Sequence, residues 1–177
     1  MTIKNKTLPS GLTLIELMLT LALISLSFLL TSNFHFLNRI EAHQQLTRFT
    51  VFLRHSRALA LYLNKPVQIC AYKNSCINTK LWSGTVVTFI DLNNNTHLDD
   101  NEHIVFTFKL DETLENIISN NMTFIRFNHL GMSKQLGSFI YCYNKNTLFS
   151  AKISLSMQGR YRVNSNYIDD RCLLQQL

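Results

Sequence analysis

Two arginines one residue apart, Arg160 and Arg162, follow Gly159 in the stretch Ser156-Met157-Gln158-Gly159-Arg160-Tyr161-Arg162-Val163. Gly159 permits a turn there. If the chain then runs extended, both guanidinium groups project to one face and Tyr161 to the other. Spaced about 7 Å apart along a strand, each can fork onto a phosphate, which suits a nucleic-acid backbone rather than a base edge. Lys134, Lys145, Lys152 and Arg171 are candidates to extend the patch. The competing reading is a solvated arginine pair with no ligand.

A second constellation lies in the middle of the chain. Asp91, Asn93, Asn95, His97, Asp99 and Glu102 occupy positions 1, 3, 5, 7, 9 and 12 of a twelve-residue segment, the oxygen-ligand spacing of an EF-hand calcium loop. Position 6 of such a loop needs glycine and here is Thr96, and the flanking runs read as strands rather than helices. Asn and Asp also favour tight loops because they tolerate left-handed backbone. The expectation is an acidic hairpin loop between Phe89 and Ile104, with no metal site assigned.

All four cysteines, Cys70, Cys76, Cys142 and Cys172, lie beyond the first third of the chain. An even number in a small exported domain points to disulfides, with three possible pairings. The preferred pairing is Cys70 with Cys76 and Cys142 with Cys172. Zinc is disfavoured because no Cys-x-x-Cys or His/Cys pair has ligand spacing. No G-x-S-x-G, H-E-x-x-H, P-loop or G-x-G-x-x-G stretch is present, so neither an enzyme nor a cofactor is expected.

These groups must be positioned by a chain of 177 residues, 46% hydrophobic, with a formal net charge of +6. The charge is uneven: residues 1–84 carry +7, residues 85–120 carry −6 and residues 121–177 carry +5. Opposite blocks in one small domain suggest distinct faces rather than a uniformly basic surface.

The supporting elements are legible from period. Ala42, Leu46, Phe49, Leu53, Ser56, Ala60 and Leu63 recur at spacings of three and four, with Phe52 and Leu59 widening the stripe; this predicts a helix with one apolar face. Asn64, Lys65 and Pro66 end it. Beyond Pro66, short runs rich in Val, Ile, Phe, Tyr and Thr cover Val67–Tyr72, Gly84–Ile90, Ile104–Phe108, Thr123–Asn128, Ser138–Tyr143 and Leu148–Ser156. No helical pattern separates them, which favours antiparallel sheets. The predicted class is α+β: a long N-terminal helix whose second half packs on a two-sheet β-domain.

The N-terminus supplies the most specific signal. Gly11-Leu12-Thr13-Leu14-Ile15-Glu16-Leu17 follows a short polar leader carrying Lys4 and Lys6, and opens an apolar run to Leu30 interrupted only by Glu16. About twenty apolar residues can span a bilayer, and a carboxylate inside that span calls for a partner. Continued to Leu63, such a helix would reach about 80 Å.

This stretch resembles the type III signal of prepilins and pseudopilins. Together with the helix ending near Ala58-Leu59-Ala60, the stretches Trp82-Ser83-Gly84 and Phe89-Ile90-Asp91-Leu92-Asn93, and the closing Gly159-Arg160-Tyr161-Arg162, it is similar to the GspH/FimT family of type IV pilin-like proteins. The resemblance covers most of residues 11–163. It implies cleavage after Gly11 by a prepilin peptidase, N-methylation of Leu12, and a role for Glu16 in filament assembly. It implies a leader over residues 1–11, a membrane and filament-core helix over 12–32, an amphipathic half over 33–65 and a β-domain over 66–177. It places the chain in the inner membrane with its β-domain in the periplasm, and then in a pilus or pseudopilus beside other subunits. In the FimT-like branch the G-R-x-R stretch is associated with DNA binding during natural transformation. Here that maps to Gly159, Arg160 and Arg162, with Lys152 and Arg171 as possible extensions. The alternative is a structural pseudopilin of a secretion filament or pilus-assembly complex.

Overall fold

The computed structural model describes residues 13–30, 34–144 and 148–172. The chain divides into two units, Met1–Phe34 and His35–Leu177.

In the first unit, helix α1 (Leu14–Leu30) begins at an N-cap threonine. The Thr13 Oγ1 accepts from the Glu16 amide at 3.4 Å, and the Thr13 carbonyl accepts from the Glu16 and Leu17 amides. Thr-x-x-Glu is the sequence form of that cap, and it puts the Glu16 carboxylate in the first turn, where the helix dipole favours negative charge. Inside α1 the hydroxyls of Thr20, Ser25 and Ser27 donate back to carbonyls three or four residues earlier, so the exterior remains apolar. At 17 residues α1 is about 25 Å long. Among the described residues no helix is long and apolar enough to cross a membrane. The expected cleavage site, Gly11 and Leu12, and residues 31–33 of the expected unbroken helix lie outside the described residues.

Helix α2 (Phe34–Leu63) dominates the second unit. Its predicted stripe is its buried face: Ala42, Leu46, Phe49, Phe52, Leu53, Ser56 and Ala60 are all buried. It ends in a Schellman turn, with Asn64 at φ +53° and the Lys65 amide donating to the Ala60 carbonyl, before Pro66 forbids continuation.

Ten strands follow. They are β1 (Val67–Tyr72), β2 (Cys76–Ile77), β3 (Leu81–Trp82), β4 (Thr85–Ile90), β5 (Ile104–Lys109), β6 (Glu115–Ser119), β7 (Phe124–Phe127), β8 (Gly137–Asn144), β9 (Leu148–Leu155) and β10 (Tyr161–Asn164). Every pairing is antiparallel. One sheet runs β2-β1-β4-β5 with β7 also on β1; the other runs β10-β9-β8-β6-β3.

Both sheets close on α2. Phe49 and Phe52 meet Phe108 of the first sheet at ring distances of 5.4 and 5.6 Å, and the Ser56 hydroxyl meets that of Thr88 at 2.7 Å. From the second sheet, Phe149 meets the His43 ring at 4.6 Å, and the wholly buried Trp82 packs on Phe139. The six predicted strands are β1, β4, β5, β7, β8 and β9. Sequence reading missed β6: Glu115-Asn116-Ile117-Ile118-Ser119 sits between turn-forming residues and becomes a strand through pairing with β8 on one side and β3 on the other.

The disulfides pair Cys70 with Cys76 and Cys142 with Cys172, as preferred from sequence. The second ties a short 3₁₀ helix, Asp170–Cys172, onto the outer face of β8, where Cys172 and Tyr167 cover Ile118, Ile140 and Cys142.

Candidate nucleic-acid interface

The motif arginines are set by the hairpin joining β9 to β10. Ser156 pairs with Arg160 through its amide at 2.8 Å, leaving Met157, Gln158 and Gly159 as the loop, and the Gly159 amide closes the turn on the Ser156 carbonyl at 2.9 Å. Gly159 has φ +71°, and the position of a Cβ there would lie 2.1 Å from the Gly131 carbonyl oxygen. A three-residue hairpin loop needs a left-handed residue at this place, and only glycine also tolerates the approach. Gly159 is buried, so its part is to shape the hairpin and not to touch a ligand.

Beyond the turn the register divides the side chains. Tyr161 lies opposite Leu155 and packs half-buried against the core, while its hydroxyl accepts from the exposed Arg54 Nη2 at 3.2 Å. Arg162 lies opposite Ser154 and, like Arg160, is exposed. Among the described residues neither the Arg160 nor the Arg162 side chain has a hydrogen-bond or ion-pair partner.

Other arginines are committed. Arg57 donates to the carbonyls of Gly131 (2.8 Å) and Gln158 (3.0 Å), clamping α2 to the hairpin loop. Arg126 pairs with the wholly buried Asp91 at 3.1 Å. Arg171 forks onto Asp169 at 2.8 and 2.9 Å and gives its remaining nitrogen to Asn120 Oδ1 at 2.8 Å. Hydrogen bonds from that guanidinium hold the Asp169 carboxyl below the usual carboxylate range, and the same bonds push the Arg171 pKa up. Arg171 is therefore a partly neutralised cation, unlike the motif pair. The Lys152 ammonium lies over the Tyr167 ring at 5.1 Å. Lys134 is exposed, and Lys145 lies outside the described residues.

By helical period Arg54 and Arg57 fall mostly off the apolar stripe of α2. The structure turns both onto the motif hairpin. Nothing in their spacing signals this, because the groups they reach, Gly131, Gln158 and Tyr161, lie 74 to 107 residues further along the chain.

The acidic loop is closed by its own hydrogen bonds. The Asp91 carboxylate accepts from the amides of Asn95 and Thr96 besides Arg126. Asn93 and Asn95 both turn amide NH₂ groups, not oxygens, toward Asp99 Oδ2 at 2.7 Å. Glu102 caps the amides of Leu92 and Asp99. Thr96, at the position where an EF-hand has glycine, adopts φ +68°, and its carbonyl accepts from Gln68 at 2.7 Å. Among the described residues no group of three or more His, Cys, Asp or Glu side chains could hold a metal ion.

A helix gripped by two antiparallel sheets defines a type IV pilin-like fold. The model of a family described as Type II transport protein GspH matches residues 45–159, more than half of the chain, and the chain belongs to that family. No curated protein matches it. Two crystal forms of the type IV minor pilin FimU from Pseudomonas aeruginosa are similar in fold. One has a TM-score of 0.53 at 15% identity, covering 69% of this chain and 91% of that one. The other has a TM-score of 0.57 at 16% identity, covering 73% and 92%.

Proposed function

We propose that this chain is a minor pilin that binds DNA without sequence preference through Arg160 and Arg162 and serves DNA uptake in natural transformation. The observation that carries the reading is the contrast among the seven arginines beyond residue 45: Arg48, Arg54, Arg57, Arg126 and Arg171 are held by protein groups, whereas the motif pair stands exposed and without a side-chain partner on a hairpin that Arg57 ties to α2. Phosphate contacts from such a pair supply affinity that depends on salt and not on sequence. In this reading the leader over residues 1–11 is cleaved after Gly11 by a prepilin peptidase and Leu12 becomes the methylated terminus. The apolar helix over residues 12–32 holds the subunit in the inner membrane, its β-domain in the periplasm, until Glu16 guides it into a filament with other pilin subunits.

The test uses the full chain in detergent, titrated with duplexes of two unrelated sequences at low and moderate salt. The wild type should bind both alike. Arg160→Gln with Arg162→Gln should remain folded, weaken both equally and flatten the salt dependence by roughly one unit of log–log slope per lost phosphate contact. A folded wild type that binds neither duplex overturns the reading. The family description as a type II transport protein favours one alternative, a structural pseudopilin whose arginines meet other subunits.

A further inference from the structure

The outer face of the second sheet carries two rows of side chains that run across its strands. In one, Ile118 and Ile140 lie side by side under the tail, covered by Tyr167 and Cys172. The next row is uncovered and polar throughout. Arg162 of β10 faces Ser154 of β9, Ser154 faces Ser138 of β8, and Ser138 accepts from Asn120 Nδ2 at 2.6 Å just beyond β6. Asn120 in turn accepts from Arg171 at 2.8 Å. Three strand spacings of about 4.8 Å make the row about 14 Å from Arg162 to Asn120. Leu136 and Asn121 border the groove along one side and Lys152 along the other.

Resting on the DNA-binding reading above, we infer that the bound phosphodiester chain does not stop at the hairpin. It crosses the sheet along this row, from Arg160 and Arg162 over Ser154 and Ser138 to Asn120 and Arg171. The chemistry of the row suits a sugar–phosphate backbone. The free motif arginines stand at one end, Lys152 on the flank and the Asp169-paired Arg171 at the other end, while the floor offers hydroxyl and amide groups and no carboxylate. Short serines keep the floor low enough for a backbone to lie on it. Its acids, Asp169 and Asp170, are at the far end, where Asp169 is already paired with Arg171. The pair along β10 thus marks the entrance of a track perpendicular to it. The Cys142–Cys172 disulfide, by anchoring the tail, holds the far end of the track in place.

A carboxylate placed in the floor tests this, and Ser138→Glu is the deciding variant because it lies two strands from Arg162, whereas Ser154 faces that arginine directly. Fluorescence anisotropy of the full chain in detergent, with labelled single-stranded and duplex oligonucleotides, would be run near 0.15 M salt, where screening acts within about 8 Å. Ser154→Glu and Ser138→Glu should each weaken binding about tenfold or more, since like charges at contact oppose association strongly. Thr107→Glu, the same charge change on exposed β5 of the other sheet, should stay within about twofold. Thermal transitions check folding. Should a floor variant fail to fold, Lys152→Gln takes its place, with an expected loss of about one unit of salt slope. Ser138→Glu binding like wild type while the double arginine variant does not would overturn the track and leave the hairpin site standing. The double arginine variant binding like wild type would overturn both.

Discussion

Arg57 Nε donates 2.8 Å to the Gly131 carbonyl, and that same oxygen lies where a Cβ on Gly159 would collide with it. The helix, the β7–β8 connection and the motif hairpin therefore meet at one carbonyl. Gly159→Ala would force a left-handed backbone onto a side chain and push Gly131 off Arg57. It should destabilise the β-domain by roughly 2–4 kcal/mol, read as a lower urea midpoint of the full chain in detergent. A midpoint equal to wild type would show that the hairpin rebuilds around alanine.

Arg57→Leu leaves the carbonyls of Gly131 and Gln158 without their charged donor. Hydrogen bonds from a charged group are worth about 1.5–3 kcal/mol each, and solvent will partly replace these, so a loss of about 2 kcal/mol is expected. The signature that separates this from general destabilisation is local: proteolysis between Met157 and Arg160 should accelerate while cleavage elsewhere stays unchanged under native conditions. Arg57→Lys should restore part of the protection.

The two disulfides should differ in worth. Cys70–Cys76 closes a separation of 6 residues and Cys142–Cys172 one of 30. Constraint of the unfolded chain gives about 2 kcal/mol for the first and about 3–4 kcal/mol for the second. Paired serine substitutions, compared by thermal unfolding, should show the larger loss for Cys142 with Cys172, and only that pair should uncover Ile118 and Ile140 to a hydrophobic dye.

Asp169 gives the tail a pH dependence of defined sign. Its carboxyl titrates below the usual range because of Arg171, whereas in the unfolded chain it should titrate near about 3.9. Stability from the pair is thus fully present above about pH 4 and is lost as pH falls through the folded value. Asp169→Asn should lower the urea midpoint at pH 7, and the gap from wild type should close in stronger acid. A gap that stays constant across that range would remove the ion pair as its source.

Much of the scaffold could be read before any coordinates. The stripe from Ala42 to Ala60 is apolar at helical period because one face of α2 lies between two sheets, and burial leaves that pattern in composition. Asn64-Lys65-Pro66 marks the helix end through local backbone chemistry alone. The preferred cysteine pairing was one of three open to the sequence, so the assembled sheets were needed to single it out. Strand β6 was illegible for the opposite reason: two isoleucines among turn formers carry no period, and its identity comes from β8.

Of the candidate interface, the sequence alone determined that Gly159, Arg160 and Arg162 could present two guanidinium groups on one face of an extended segment, because alternation along a strand is a local property. It could not say which arginines were free. That depended on where Gly131, Tyr161 and Asp91 ended up, since they approach Arg57, Arg54 and Arg126 only when the sheets close, whereas Asp169 pairs with Arg171 from two residues away. The row from Arg162 through Ser154 and Ser138 to Asn120 joins four segments separated by up to 42 residues. Cross-strand register is set by the packing of whole sheets around α2, so only the tertiary structure could draw that line.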